Sequence, residues 1–592
     1  MNVAHQVILS IAAASSLAAQ QQGAQSAAEF RSYVASKMPN LSEAMLKQIA
    51  DRVDKNGDGT VDGDEFAGRM AAIRAVMSGE PAPAPASAAV PSGEAEVQNY
   101  LDREPTKIPP LTPDDGATIL LIAGDELAEA WIPFATWKTQ QGRATKIVTV
   151  REIARGYEAA SIQEKIRLCV RQHIEQHGTR WVVLGGDSEP GGGSVPGGHT
   201  TYHDQEPDGI PTDIVYLSPS NWDADGDGRF GEWEDDREAI TYPDGKVGLG
   251  RIPVRTIEDV AHFTAKVRAY ESKYPADDFA KRMLFTSTEP MATPKVRASW
   301  DRYLEPKWRG QLQRYEAAAS GEQAETKLPT VARVQAALSE RTASKLHIHG
   351  HGTIGAWQLS DDDFTQAHVL ELKQADVYPL ITTVSCNTGE YDSARDPSIV
   401  ESMLRAPGAG SVAIVAPIRT GKMHFHNPSI DFELMTSEGK LDGTTMLETR
   451  YWSEGLSKQR TTGEALMAAK AQMADEARKT GSYHLCICEI NLLGDPTLDF
   501  RAEAPRTPVL KAPATLAAGK QSVTVTTGAP GAWVCLYQGN KLHAVQRVGE
   551  GGGARFEVDV AAGLPVLCTV AGANWNTQSQ QIEVATGGES PR

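Results

Sequence analysis

From Ala117 onward the chain repeats one pattern, a short apolar run followed by a longer amphipathic stretch, and this limits the folds open to it. Runs at Thr118–Ala123, Thr145–Val150, Trp181–Leu184, Ile214–Leu217, Met283–Thr286, Leu346–Ile348, Leu380–Val384 and Val412–Val415 are short enough for strands. Between them Ile162–Ile174, Ile257–Tyr270, Val331–Leu338 and Ala465–Ala474 carry helical periodicity. Strands alternating with helices give an α/β domain with a mostly parallel sheet covered on both faces. Reactive side chains are then expected at the carboxyl ends of its strands.

The pattern changes at both ends. Val7 to Ala19 is a short apolar, Ala-rich run, and Ser16-Leu17-Ala18 offers a small-residue cleavage site. Residues 1–19 therefore read as a signal peptide, although the only basic side chain before the run is His5, and a buried N-terminal helix fits as well. Residues 29–77 read as helix, acidic loop and helix, and residues 78–113 as a Pro/Ala-rich linker that buries nothing. The α/β domain is assigned to 114–504. From 505 to 592 the helical signal stops, and Ser522–Thr526, Ala532–Leu536, Ala554–Val558 and Pro565–Val570 read as strands of an all-β sandwich of the immunoglobulin type.

A chain of 592 residues needs several cores. Its 58 Lys and Arg against 76 Asp and Glu give a net charge of −18, which argues against nucleic acid or anionic lipid as a partner and favours a cation-binding surface. Past the leader no segment approaches the roughly 20 apolar residues that span a bilayer. Six cysteines are too few for a disulfide scaffold in a chain this long. Cys169 falls on the apolar face of a helix, Cys486 and Cys488 point one way from a probable strand, and Cys535 with Cys568 either bond or pack together.

Two segments end a strand in a reactive side chain beside glycine: Lys345-Leu-His-Ile-His-Gly-His351-Gly-Thr353 and Pro379-Leu-Ile-Thr-Thr-Val-Ser-Cys386-Asn-Thr-Gly389. A helical linker over Asp362–Gln374 would make these neighbouring parallel strands, with His351 and Cys386 side by side. A histidine beside a cysteine can generate or stabilise the thiolate. The N–H groups of Gly352 and Cys386 would form an oxyanion hole, in which one donor is worth about 10²-fold or more in rate. Two other readings stay open: Cys386 as an ordinary buried thiol, and a metal held by His347, His349 and His351, which one strand splays too widely for a tetrahedral centre.

The blocks around this pair resemble the gingipain family of cysteine peptidases, within the wider group that shares the caspase-like fold. They are Leu120-Leu-Ile-Ala123, Trp137-Lys-Thr-Gln-Gln-Gly-Arg143, Trp181-Val-Val-Leu-Gly-Gly-Asp187, Pro211-Thr-Asp-Ile-Val-Tyr216, Gly248-Leu-Gly-Arg-Ile-Pro-Val254, Gly350-His-Gly352, Val384-Ser-Cys386-Asn-Thr-Gly389 and Asn491-Leu-Leu-Gly-Asp-Pro-Thr497. The resemblance implies a catalytic dyad of His351 and Cys386, Glu289 as the acid that orients His351, and Asp301 as the acid of a pocket for Arg or Lys. It also implies a trailing immunoglobulin-like domain, whereas an N-terminal EF-hand is not part of the family's usual plan.

Calcium is expected at two loops. Asp54, Asn56, Asp58, Thr60, Asp62 and Glu65 occupy positions 1, 3, 5, 7, 9 and 12 of an EF-hand loop, with Gly59 at the turn. Asp223, Asp225 and Asp227 repeat the triple carboxylate inside the α/β domain, with Arg229, Glu232 and Glu234 as the remaining candidate ligands. The chain thus reads as a secreted or cell-envelope, calcium-binding cysteine endopeptidase acting on protein or peptide. The alternatives are a protein-processing transpeptidase of the same fold and a non-catalytic, calcium-stabilised envelope or adhesion protein.

Overall fold

The computed structural model describes residues 25–26, 60–61, 97–98, 100–101, 116–188, 194–200, 209–227, 229–233, 235–288, 311–316, 328–373, 376–393, 397–421 and 443–586, with the backbone alone at 25–26, 60–61 and 311–316. The leader, Glu289, Asp301, Glu234 and the EF-hand positions other than the Thr60 backbone lie outside the described residues. The chain divides into two compact units, Met1–Ser92 and Gly93–Arg592. In the first, Thr60–Val61 pairs antiparallel with Gln25–Ser26.

The second unit is built on a ten-stranded sheet. Its strands are β1 (Ile119–Ala123), β2 (Thr145–Thr149), β3 (Trp181–Gly185), β4 (Gly248–Ile252), β5 (Arg282–Ser287), β6 (Gln311–Glu316), β7 (Lys345–His349), β8 (Leu380–Thr383), β9 (Ala413–Pro417) and β10 (Ile490–Gly494). Their order is β6-β5-β7-β8-β9-β10-β4-β3-β1-β2. Every neighbouring pair is parallel except β9 and β10, which are antiparallel. Two five-stranded parallel halves therefore meet at one antiparallel seam and run in opposite directions. β1, β3, β9 and β10 are buried at every position, as parallel strands covered on both faces must be.

The covering helices follow their sequence signals. In the helix Ile162–His177 the Ser161 hydroxyl accepts the Glu164 N–H, Gly178 at φ 70° closes the last turn, and Ile162, Ile166, Cys169 and Val170 form the buried stripe. Ile257–Ser272 opens on a reciprocal capping box between Thr256 and Asp259.

Several expectations need correction. The linker from β7 to β8 is not a helix over 362–374: residues 352–353, 356–358 and 363–365 pair as a small antiparallel sheet, and among its described residues only Gln366–Leu370 is helical. Trp357 and Phe364 stack across that sheet at 5.6 Å, and the Asp361 and Asp362 carboxylates each accept the next residue's N–H, which competes with helix formation. Residues 213–217 form a 3-10 turn rather than a strand. Cys486 and Cys488 lie on the helix Gly481–Glu489, a placement that brings Cys488 to 3.7 Å from His484 one turn earlier. The linker is not wholly unpacked either. Val97, Tyr100 and Leu101 share one face of a helical turn, Tyr100 is buried, and its hydroxyl lies 3.3 Å from Ser194 Oγ.

Among the described residues the C-terminal region holds seven strands instead of the four read from sequence. A five-stranded sheet (515–516, 575–584, 566–572, 533–538, 541–547) faces a two-stranded one (519–526, 553–560). Val523, Val534, Phe556, Val558 and Val570 share its core. Cys535 pairs with Thr569 and Leu536 with Cys568, so the two cysteines point to opposite faces and no disulfide joins them. Cys535 packs instead on Gly142 of the α/β domain, where an added Cβ would lie 2.7 Å from its sulfur. Arg501 donates to the carbonyls of Trp575 and Glu271, and Asn576 to that of Tyr274, fixing the sandwich to the sheet's covering helices.

Candidate active site

Three parallel strand ends form the floor of the site. Thr288 N–H donates to His349 O (3.0 Å) and Val384 N–H to Ile348 O (3.1 Å), which extends the ladder beyond β5, β7 and β8. At Gly350 a Cβ would lie 2.6 Å from Thr288 Oγ1. At Gly352 it would lie 2.6 Å from Thr388 Cγ2, 2.7 Å from Ser385 Cβ and 3.1 Å from Cys386 O. Only glycine permits this approach, and it seats the turn carrying His351 directly on the turn carrying Cys386. His351 is exposed and Cys386 half-buried, with Sγ 3.9 Å from Gly421 O.

The turn after Cys386 is tightly bonded. Asn387 holds a left-handed conformation at φ 61°. Its N–H donates to Arg419 O (2.9 Å), and Gly389 N–H donates to Pro417 O (3.0 Å). Thr388 Oγ1 donates to Ser385 O (2.8 Å), and Asn387 Nδ2 to Glu390 Oε2 (2.9 Å). Burial raises the Glu390 carboxyl above its ordinary range. Arg419 is gripped at both terminal guanidinium nitrogens by Asp392, at 2.8 and 2.7 Å.

His347 and His349 do not join His351. Both are fully buried, with ring centroids 5.5 Å apart. His347 Nδ1 lies 2.7 Å from Thr382 Oγ1 and 3.3 Å from a carboxyl oxygen of Glu448, which burial pushes well above the ordinary carboxylate range. The three histidines therefore form no ligand set. Among the described residues the cluster with metal-ligand geometry is Asp223, Asp225 and Asp227, whose carboxylate oxygens lie within 4.8 Å of one another. Their loop is pinned by Asp236, which accepts the N–H groups of Ala224 (2.5 Å) and Glu232 (3.1 Å). Glu232 is paired with Arg229 rather than turned to the aspartates.

Asp236 escaped the sequence reading because nothing distinguishes it from the acids beside it. A second omission is Arg251, fully buried on β4. It meets Asp213 at 2.8 and 2.7 Å, donates to the carbonyls of Gly186, Val195 and Pro196, and lies 4.6 Å over the Tyr391 ring. Tyr391 is five residues after Cys386, so this ion pair underlies the cysteine loop.

The sequence model of the peptidase family C25 matches residues 112–501. The chain belongs to that family. Gingipain R2 of Porphyromonas gingivalis is 21% identical over 519 aligned residues, covering 82% of this chain and 60% of the relative. The chain thus spans about 60% of the length of the curated relatives it matches. Two solved structures share the fold. The Arg-specific cysteine proteinase gingipain R gives a TM-score of 0.60 at 20% identity, covering 81% of this chain and all of the other. The complex of Porphyromonas gingivalis RgpB pro- and mature domains gives 0.59 at 20% identity, covering 79% and 99%. Among the described residues no helix is long and apolar enough to cross a membrane.

Proposed function

We infer that this C25 family member is a cysteine endopeptidase with Cys386 as nucleophile and His351 as proton carrier. The observation that carries the reading is the Gly350-His351-Gly352 turn seated on the Ser385–Thr388 turn, with His351 exposed and Cys386 half-buried. His351 takes the Cys386 proton, and the sulfur attacks the scissile carbonyl carbon. The N–H groups of Gly352 and Cys386 hold the oxyanion. On collapse the C–N bond breaks, His351 protonates the leaving amine, and water then releases the acyl group from sulfur. Cleavage after Arg is supported by the Arg-specific relative and would use Asp301, whose charge would also accept Lys; Glu289 would orient His351.

Calcium fits the two acidic loops. Three carboxylates held within 4.8 Å of one another repel strongly unless a hard cation neutralises them. Asp223, Asp225 and Asp227 would hold the ion, with Arg229 through its backbone, Glu232 after leaving Arg229, and Glu234. The EF-hand spacing of 54–65 would hold a second ion. The cations stabilise the fold and stand apart from bond cleavage. The two-sheet C-terminal region supports an immunoglobulin-like domain, and the leader-like run supports export to the envelope or medium.

The test is turnover of Arg- and Lys-terminated fluorogenic peptides by wild type and Cys386→Ala in calcium. Turnover and labelling by a thiol-directed probe are expected in wild type alone. Equal turnover by both proteins, or neither turnover nor labelling in wild type, would overturn the assignment.

A further inference from the structure

We propose that Asn387 and Glu390 form a clamp that positions the Cys386 N–H for the oxyanion, with Arg419 as its anchor. The inference rests on the peptidase reading above and adds residues that act through Cys386 rather than on substrate.

A trans peptide is planar, so the N–H of one residue points opposite to the carbonyl of the residue before it. Thr388 Oγ1 draws the Ser385 carbonyl into the turn at 2.8 Å, and the Cys386 N–H therefore faces the other way. The next peptide is fixed from its other side: Asn387 N–H donates to Arg419 O at 2.9 Å, which leaves the Cys386 carbonyl against Gly352. Both peptides hold these orientations only while Asn387 stays at φ 61°, a conformation that L-residues adopt at a cost and asparagine tolerates better than most.

Asn387 and Glu390 secure that conformation reciprocally. The Asn387 amide donates to Glu390 Oε2 at 2.9 Å, and the Glu390 N–H donates to Asn387 O at 3.2 Å. Arg419 could compete for the Glu390 carboxylate, but Asp392 takes two of its nitrogens at 2.8 and 2.7 Å. The pair with Asp392 also fixes the segment whose carbonyl receives the Asn387 N–H. A side chain with a shorter reach at 390, or without an amide at 387, would leave the turn held by its backbone bonds and the Thr388 hydroxyl.

Two reactions of the same sulfur separate positioning from folding. Peptide hydrolysis develops an oxyanion, whereas alkylation by iodoacetamide forms a C–S bond as iodide leaves and needs no oxyanion donor. Loss of a whole donor costs about 10²- to 10³-fold, so misaiming one is expected to cost about 10- to 100-fold in kcat with KM little changed. Asn387→Gly keeps the left-handed backbone and loses the amide, Asn387→Ala loses both, and Glu390→Gln weakens the acceptor. The expected order of kcat loss is Asn387→Ala, then Asn387→Gly, then Glu390→Gln, with the rate of Cys386 alkylation within about twofold of wild type throughout. Equal kcat for wild type and Asn387→Ala, or alkylation falling in step with kcat, would overturn the clamp. If wild-type turnover survives Cys386→Ala, the nucleophile assignment itself fails, an outcome distinct from failure of the clamp.

Discussion

The two halves of the sheet are built from the same strands and helices but differ in where their strand ends lead. In the half containing β1 to β4 and β10, buried ion pairs brace the interior: Arg251 meets Asp213 and three carbonyls, and Lys138 meets Glu271 and Asp495 at 2.9 and 2.7 Å. In the half containing β5 to β9, the strand ends at 349 and 383 open into short turns that leave His351 exposed and Cys386 half-exposed. One half gives a rigid support and the other presents reactive groups. Lys266 ties them, reaching from Ile257–Ser272 to the carbonyls of Met403 and Ala409 at 3.0 Å.

If the first half is the support, breaking its buried pair should do the most damage. Arg251→Met strands the Asp213 carboxylate and is expected to cost about 3–5 kcal/mol of unfolding free energy in urea titrations. Cys386→Ala, in the other half, should stay within about 0.5 kcal/mol of wild type while abolishing turnover. Equal stability of Arg251→Met and wild type would erase the distinction.

Calcium removal sharpens the comparison next. The first tryptophan in the chain is Trp131, so every tryptophan that reports the melting curve lies in Gly93–Arg592. With free calcium 100-fold above Kd, the 223–236 loop should contribute about 2.7 kcal/mol, lost on chelation. Asp225→Asn with Asp227→Asn should abolish the chelator's effect on that melting curve, and a persistent shift would move the ion elsewhere.

The smallest expected effect is a slope. Burial lowers Lys266, Lys345 and Lys470 from 10.5 to about 7. Between about pH 7 and 10.5 the unfolded chain therefore holds protons that the folded chain has released, and stability from these groups rises with pH. Below that window they are charged in both states and their burial cost is fully present. Each contributes up to about 1.4 kcal/mol per pH unit. Lys266→Met should lower the pH 8 to 9 increment in unfolding free energy by that amount, and an unchanged increment would refute its neutral burial.

Legibility in the sequence followed chemistry and failed with distance. Runs such as Leu120–Ala123 and Leu380–Thr383 announce strands because parallel strands need apolar side chains on both faces. Gly248-Leu-Gly-Arg-Ile252 and Gln311–Glu316 do not, since two glycines, an arginine or alternating polar residues mimic loops. Cys486-Ile-Cys488 has too short an apolar run for either period to show, and its helix was missed. In the linker, Val97, Tyr100 and Leu101 were hidden by the surrounding Pro and Ala.

What the sequence by itself determined was the inventory: α/β class, a histidine and a cysteine beside glycines at two strand ends, and three aspartates at alternating positions of one loop. These are local facts, carried by residue type and spacing. Only the tertiary structure decided that the sheet reverses at the β9–β10 seam, that Gly352 presses on Ser385 and Thr388, and that Arg251 lies beneath Tyr391. Each depends on groups far apart in the chain meeting at van der Waals or hydrogen-bond range, where desolvation and packing act and local sequence spacing carries no signal.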